Sequence, residues 1–386
     1  MRNPWPSFVK FFVSLKLTVV LLALSIVLIF AATLDQVHLG VWAVQEKYFH
    51  SFFVLWKFGG VPVPVFPGGY FVGGLLLVNL VTAHICRFKF SWRKSGIWLT
   101  HAGLILLLIG QLLTGLWQRE SQVQLNVGET KRYSEDFRLD ELAVINATDP
   151  KFDDVVAIPE SVLARGEPIQ QPSLPFRIVT RLYYPNSVVQ MRSQAPNAPP
   201  SPATMDIGTQ LAVSPQPLTY KPDERNMPAA CIELSGPDGS LGIWLVSTWL
   251  DAPQKFDYDG RTWQLVLRSK RYYTPYSLTL SQIKNDVFAG SDIPKNFSSS
   301  IHLHSDDTQD DRDALIYMNN PLRYRGLTYY QYQMNKAGGL SVLQVVHNPS
   351  WTIPYISCLM MAAGLIFQFV LHLNGFIRKR TAQVKT

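Results

Sequence analysis

The chain has 386 residues, of which 47% are hydrophobic and only 16% are charged, with a formal net charge of +7. This balance indicates a membrane protein and not a set of soluble domains. Many Lys and Arg residues flank the apolar blocks, so the positive charge reflects membrane topology and does not indicate a nucleic-acid partner. The cysteines Cys86, Cys231 and Cys358 are far apart and form no C-x-x-C pair or disulfide framework.

Four apolar stretches have about the 20 residues that a helix needs to cross the hydrocarbon core of a bilayer. They are residues 13–34, 70–87, 96–117 and 352–374. The first follows a basic start, as a secretory signal would, but it exceeds the ~7–15 apolar residues of a signal-peptide core. We therefore predict four transmembrane helices, the first of which is a permanent anchor in contact with membrane lipid.

The short basic loops predict the orientation of these helices, because Lys and Arg are retained on the cytoplasmic side. The second and third stretches are separated by Arg87, Lys89, Arg93 and Lys94, and the fourth is followed by Arg378, Lys379, Arg380 and Lys385. This pattern predicts a multi-pass protein of the cell inner (cytoplasmic) membrane with both termini in the cytoplasm. Residues 118–351 would then form a large periplasmic, or extracytoplasmic, domain.

Residues 41–58 connect the first two stretches and carry aromatic side chains on one helical stripe. Together with the edge residues Glu46 and Lys57, the stripe predicts an amphipathic helix lying in the outer membrane interface. The pair Gly59-Gly60 and the prolines that follow would end this helix and return the chain to the membrane.

Residues 118–351 change to short β-branched and aromatic runs separated by Gly, Pro, Asn and Asp. This pattern predicts an antiparallel all-β domain inserted between helices 3 and 4. The Asp-Gly pairs at 238–239 and 259–260 are typical of hairpin turns. The Pro-rich stretch at 190–228 interrupts the pattern and is interpreted as an insertion or mobile loop.

His84 and His101 lie inside the predicted membrane helices, where an ionisable side chain is costly and is a functional hypothesis by default. His84 is near the cytoplasmic end of the second helix, and His101 is one to two turns inside the start of the third. The hairpin places both at a similar depth, and neutral imidazole is a suitable axial ligand for haem iron. Each could instead cap a helix end or bond to a neighbouring helix.

The remaining candidates favour structural roles. His302 and His304 form an H-x-H pair on one strand face, followed by several aspartates, which favours a solvated strand end over a metal site. Asn79 is interpreted as interhelical glue, and His372 as an interfacial residue. The sequence has no G-x-S-x-G, P-loop, G-x-G-x-x-G or H-E-x-x-H motif, which disfavours a conventional hydrolase or nucleotide enzyme.

Five motifs resemble the ResB (CcsB) family of system II cytochrome c biogenesis proteins. Residues 97–110 (IWLTHAGLILLLIG) resemble the signature of its third helix. The other four are 276–280 (YSLTL), 294–299 (PKNFSS), 316–322 (IYMNNPL) and 324–331 (YRGLTYYQ). The family's three helices, outer β domain and final helix correspond to the layout of the whole chain.

The resemblance implies haem transport to the outer face and presentation to apocytochrome c for covalent attachment. It assigns the family's haem-ligating histidine, which acts with one from a ResC (CcsA) partner, to His101, whereas His84 is added from geometry alone. The cofactor is then haem b, transported or transiently bound, and the chain is half of a holocytochrome c synthase that is not catalytic alone. A b-type haem electron-transfer subunit and a non-catalytic membrane scaffold remain as alternatives.

Overall fold

The computed structural model describes residues 5–87, 91–221, 224–287, 294–335 and 338–384. Arg2, Lys89 and Lys385 of the predicted basic flanks lie outside these ranges. The chain divides into two compact units, described here separately. The helical unit comprises Met1–Arg119, Tyr220–Pro222 and His347–Thr386, and the β unit comprises Glu120–Thr219 and Asp223–Val346.

The α-helices are α1 (Trp5–Phe12), α2 (Leu15–Val44), α3 (Gly69–Arg87), α4 (Ser95–Trp117), α5 (Glu160–Leu163) and α6 (Ile353–Val384). Within the described residues, four helical segments are long and apolar enough to cross a membrane, which confirms a multi-pass membrane protein. The first runs past the predicted end at residue 34, through a break at Gly40 (φ 79°) and a π-helical turn, Gln45–Phe49. Helical hydrogen bonding thus continues beyond the apolar run.

The predicted interfacial helix at 41–58 is wrong in its second half. Strands β1 (Phe53–Phe58) and β2 (Val61–Pro67) form an antiparallel hairpin there. Its two-residue turn is Gly59-Gly60, and both glycines have positive φ, 57° and 88°, a conformation that glycine adopts at no steric cost. Aromatic residues favour strands as well as amphipathic stripes, so their spacing alone did not exclude a helix.

Helix α4 packs against α6 along a seam of three glycines, Gly96, Gly103 and Gly110, spaced seven residues apart. A Cβ atom on Gly103 would lie 2.8 Å from Met361 Cγ, so the two backbones approach too closely for any larger residue. Seams of small residues are typical of helix contacts in membranes, where close packing replaces the hydrophobic effect.

Asn79 joins α3 to α2 at the point where the chain breaks between α1 and α2. The side chain is 2% exposed; its amide donates to Phe12 O at 2.6 Å, and its oxygen accepts from Thr18 Oγ1 at 2.7 Å. These bonds connect α3 to the last residue of α1 and to the first turn of α2. The interpretation of Asn79 as interhelical glue is confirmed.

The β unit is antiparallel, as predicted, and its strands follow α4 in the sequence and precede α6. They are β3 (Arg119–Asn126), β4 (Thr130–Asn146), β5 (Asp154–Pro159), β6 (Arg177–Tyr184), β7 (Ser187–Met191), β8 (Leu211–Pro215), β9 (Ala229–Gly236), β10 (Gly239–Ser247), β11 (Gln254–Tyr258), β12 (Arg261–Val287), β13 (Pro294–Ser305), β14 (Asp310–Tyr317), β15 (Leu322–Tyr324), β16 (Leu327–Asn335) and β17 (Leu340–His347). The main sheet has the order β14-β13-β12-β4-β3-β17-β16-β15, with β5 on β4 and β11 on β12.

Two hydrophobic cores lie along this sheet. In the first, the sheet β10-β9-β6 packs on β4, β5 and β12, around Trp263, Leu265 and Leu267. The second lies between β3, β12, β13, β14, β16 and β17, around Tyr276, Leu278 and Leu280. Strand β12 therefore contributes to both cores, and its register shifts between Ser269 and Arg271 and between Tyr273 and Leu278 mark the passage from one to the other.

The turns and the Pro-rich stretch differ in detail from the predictions. Asp259-Gly260 forms the two-residue turn between β11 and β12 with φ values of 54° and 68°, as expected. In the other hairpin the pair Gly236–Gly239 closes the ladder, so the turn residues are Pro237 and Asp238. The interpretation of 190–228 as a mobile loop is wrong for β8, which pairs with β7 and has Leu211 and Val213 buried against residues of β9 and β10.

Candidate functional site

Helices α3 and α4 bring His84 and His101 together, and the hairpin argument had predicted only that they lie at a similar depth. Their ring centroids are 6.5 Å apart and the ring planes differ by 27°. The indole of Trp98, one turn before His101, lies 5.1 Å from the His84 ring. The two imidazoles and this indole form an aromatic cluster, defined here as the His84–Trp98–His101 cluster.

The cluster lies on the side of α4 that faces away from α6. Each helical residue turns by about 100°, so His101 lies roughly 150° around α4 from Gly96 and Gly103, which contact α6. Gly103 is buried, whereas His84 and His101 are residues of intermediate exposure, and the ring nitrogens of His84 are buried. The glycine seam fixes one face of α4, and the opposite face presents the histidine.

One hydrogen bond determines which tautomer the neutral ring of His101 adopts. Its Nδ1 lies 2.8 Å from the carbonyl oxygen of Ile97, one turn earlier in α4. A carbonyl oxygen only accepts, so Nδ1–H donates and Nε2 carries the lone pair. This is the arrangement that prepares a histidine for metal ligation through Nε2, because the second nitrogen fixes the ring orientation.

The surroundings of the cluster are positively charged. Arg87 follows His84 by three residues, and Lys94 precedes His101 by about 10 Å along the helix axis. Both side chains and that of Arg93 are exposed, and the sequence from residue 47 to residue 119 contains no Asp or Glu. An anionic group beside the cluster would meet cations without competing carboxylates.

The two rings are close enough to contact one bound group. Two imidazoles on opposite sides of one metal ion, each bonded at about 2 Å, have ring centroids about 6 Å apart, and two imidazoles on a tetrahedral ion have centroids about 5 Å apart. The observed 6.5 Å is near the first value, but the two rings are stacked, an arrangement that does not by itself direct a nitrogen of each ring at one ion. His101 is also compatible with a single protein ligand whose second ligand comes from elsewhere, because its tautomer does not depend on His84.

His302, His304 and His372 have local partners. His302 bonds to Asp311 and Asp313, each at 2.9 Å, and His304 bonds to Asp306 at 2.9 Å on the exposed face of β13. Across the described ranges, no group of three His, Cys, Asp or Glu side chains is arranged to hold a metal ion. His372 is exposed and lies 3.5 Å from Gln368 on α6.

A buried acidic cluster in the β unit was missed by the sequence analysis. Asp140, on β4, is 3% exposed and pairs with Arg225 and with Glu160 at the start of α5. Burial raises the pKa of Asp140 to about 7, although Arg225 opposes the shift. The three residues are far apart in the sequence, so no local pattern indicated their contact.

Comparison with known proteins gives one family match. No curated protein matches the chain. Residues 257–341 match the model of the ResB-like family, and this segment contains the four sequence motifs from 276 to 331. The motif that contains His101 lies outside it. The match over residues 257–341 is consistent with the ResB resemblance predicted from the motifs, and it connects this segment with cytochrome c biogenesis.

Proposed function

We propose that the chain carries haem across the cell inner membrane and presents it to apocytochrome c, as the ResB half of a synthase with a ResC-like partner. The observation that carries this proposal is His101, an imidazole in an apolar helix whose Nδ1–H is bonded to Ile97 and whose Nε2 lone pair suits haem iron. Haem is the cargo of this protein and not a resident cofactor. The ResB-like segment supports the same pathway.

Haem needs such a site because its propionates lose their hydration when the molecule enters hydrocarbon. In the proposed function, ligation by His101 and one histidine of the partner holds the iron. The exposed cations Arg87, Arg93 and Lys94 bind the propionates at the cytoplasmic surface. His84, 6.5 Å from His101, serves as a neighbour of the bound haem and not as the principal ligand.

The β unit would receive the unfolded apocytochrome on the outer face. Its strand-rich construction allows a peptide to add to an exposed strand edge, the mode of binding proposed here. Cross-links from an apocytochrome peptide should therefore reach this unit. Cross-links confined to the partner would contradict this step without affecting the haem site.

The haem site is tested by measuring haem in the purified complex with the partner. His101→Ala should retain much less haem than the wild type, and His84→Ala should change haem content weakly or not at all. His372→Ala, which removes an exposed histidine from α6, is the matched control and should retain wild-type haem. Exogenous imidazole should restore haem to the His101 variant, since it replaces the ligand without restoring side-chain packing.

The assignment of His101 fails if its alanine variant carries wild-type haem. It also fails if imidazole gives no recovery while the variant remains folded and bound to the partner. In that case the loss of haem would reflect packing and not axial ligation.

A second candidate function is supported by the proximity of the two rings. A b-type electron-transfer subunit holds one haem permanently between paired histidines, and His84 and His101 have a suitable spacing. The spectrum of the chain purified without a partner separates the two functions. Stoichiometric, redox-reversible haem that depends equally on both histidines would favour the electron carrier.

A further inference from the structure

The β1–β2 hairpin, residues 53–67, exposes apolar side chains on both of its faces. One face carries Trp56, Phe58, Val61 and Val63, with exposed fractions of 61%, 58%, 61% and 38%. The other carries Leu55, Lys57, Pro62 and Pro64. An antiparallel pair at a protein surface normally has one polar face, so water is an unsuitable environment for this hairpin.

The base of the hairpin is fixed to the membrane helices. Val54 is 4% exposed and packs with Phe66 against Leu28 and Val44 of α2. The hairpin starts four residues after the end of the first membrane-crossing segment at Phe49. It ends two residues before α3, so both of its ends lie at the face of the membrane where α2 ends and α3 begins.

Glycine contacts make this junction rigid. A Cβ atom on Gly69 would lie 2.6 Å from Phe49 O, and Gly68 N donates to Phe52 O at 2.8 Å. The direction of the hairpin relative to α2 and α3 is therefore set by backbone contacts and not by a flexible linker.

The prolines of β2 suit an environment with little water. Along an antiparallel pair, hydrogen-bonded and non-hydrogen-bonded residue pairs alternate, and Phe58–Val61, which closes the two-residue turn, is of the first kind. Lys57–Pro62 and Leu55–Pro64 are therefore of the second kind, in which backbone N–H groups point away from the partner strand. Proline has no N–H, so the outer edge of β2 lacks donors at both positions. The same edge resists pairing with a strand from another chain.

We infer that the β1–β2 hairpin inserts into the boundary between headgroups and acyl chains of the lipid bilayer, as a membrane anchor between α2 and α3. Trp56 and Lys57 match this layer, where indole rings and snorkelling ammonium groups are stable. Among the described residues, no strand pairs with the outer edge of β1, which keeps its N–H groups. These groups favour the headgroup layer, where water and headgroup oxygens accept hydrogen bonds. This replaces the predicted interfacial helix by a structure that exposes apolar residues on two faces, and it is independent of the haem proposal.

The test uses nitroxide labels on the full chain in lipid nanodiscs. Leu55→Cys and Val63→Cys place one label on each face, in a background in which the exposed Cys86 and Cys358 are replaced by alanine and the buried Cys231 is retained. Leu359→Cys, 71% exposed on α6, is the lipid-facing control, and Val127→Cys, 51% exposed next to the β3–β4 turn, is the aqueous control. Collision rates with oxygen, which concentrates in lipid, and with a water-soluble nickel chelate are compared.

Both hairpin labels should have an oxygen-to-nickel collision ratio several-fold above that at Val127 and closer to that at Leu359. A ratio at either label equal to that at Val127 would overturn the inference, since one face would then be in water. Exclusion of both reagents would also overturn it, because the hairpin would then be covered by protein. All four variants should fold, since each substitution replaces an exposed side chain.

Discussion

The helical unit and the β unit place their apolar residues in opposite ways. Leu22, Ile26 and Leu359 in the membrane helices are 50%, 68% and 71% exposed, whereas Leu265 and Leu280 in the β cores are at most 1% exposed. The β unit gains stability by removing apolar side chains from water, whereas the apolar side chains of the helical unit are removed from water by lipid. The contacts that fix how the membrane helices pack on one another are consequently made by glycines and by Asn79, not by large hydrophobic residues.

The largest expected effect is the loss of unfolding free energy when a leucine buried in the β unit is truncated, compared with a leucine exposed on the helical unit. Leu280→Ala should reduce the free energy of unfolding by about 2–5 kcal/mol, because it leaves a cavity in the second core. Leu359→Ala, on the exposed face of α6, should change it little. Thermal unfolding of the full chain in detergent measures both. Equal losses would show that the exposed face of α6 is covered by protein.

A smaller effect is expected from enlarging a glycine on α4. Gly103→Ala places a Cβ atom 2.8 Å from Met361 Cγ and 2.9 Å from Ser357 O, so α4 and α6 must separate, at a cost of about 1–3 kcal/mol. Gly73→Ala on α3, whose Cβ would have no neighbour within 4 Å, is the control and should be neutral or slightly stabilising. Thermal stability in detergent is the measurement, and similar values for the two variants would mean that the seam does not limit the approach of the helices.

The smallest effect concerns the pH dependence of the β unit. A carboxyl group whose pKa is raised on folding stabilises the fold at low pH, and that stability is lost as pH rises through the folded pKa. Burial raises the pKa of Asp140 to about 7 and also raises the pKa of Glu160. The unfolding temperature should therefore fall as the pH rises from about 4, the ordinary pKa of an aspartate, to about 7, the pKa of Asp140 in the folded protein.

Asp140→Asn should flatten this dependence, because an amide resembles the protonated carboxyl at every pH. His304 changes stability in the same direction, since its aspartate partners raise its pKa, but it is unchanged in the variant. The difference between the two unfolding curves therefore reports the titration of Asp140 together with that of its hydrogen-bonded neighbour Glu160. An identical pH dependence in the wild type and the variant would contradict the raised pKa.

The sequence predicted the features that depend on long, uniform patterns. The four membrane segments follow from apolar runs of sufficient length, and the antiparallel β unit follows from alternating runs and turn residues such as Asp259-Gly260. The hairpin at 53–67 was missed because its aromatic residues also fit a helical stripe. Only the backbone geometry, with Gly59 and Gly60 at positive φ, decides between them.

The candidate site was predicted in part for the same reason. A short helical hairpin places His84 and His101 at one depth, so their proximity could be expected from the sequence. The tautomer of His101 depends on a single bond to Ile97, and the contact of Asp140 with Arg225 depends on the fold of distant segments. No local pattern encodes either of these.

The length of β12 has a consequence for how the β unit opens. A single strand of 27 residues supplies Leu265 to one core and Leu278 to the other, and β4 runs beside it through most of that distance. If the pairing of β4 with β12 is lost in one core, the hydrogen bonds in the middle of the two strands, next to the other core, are weakened as well. The β unit should therefore melt in one calorimetric transition, and amides along β12 should exchange with solvent only when the whole unit unfolds.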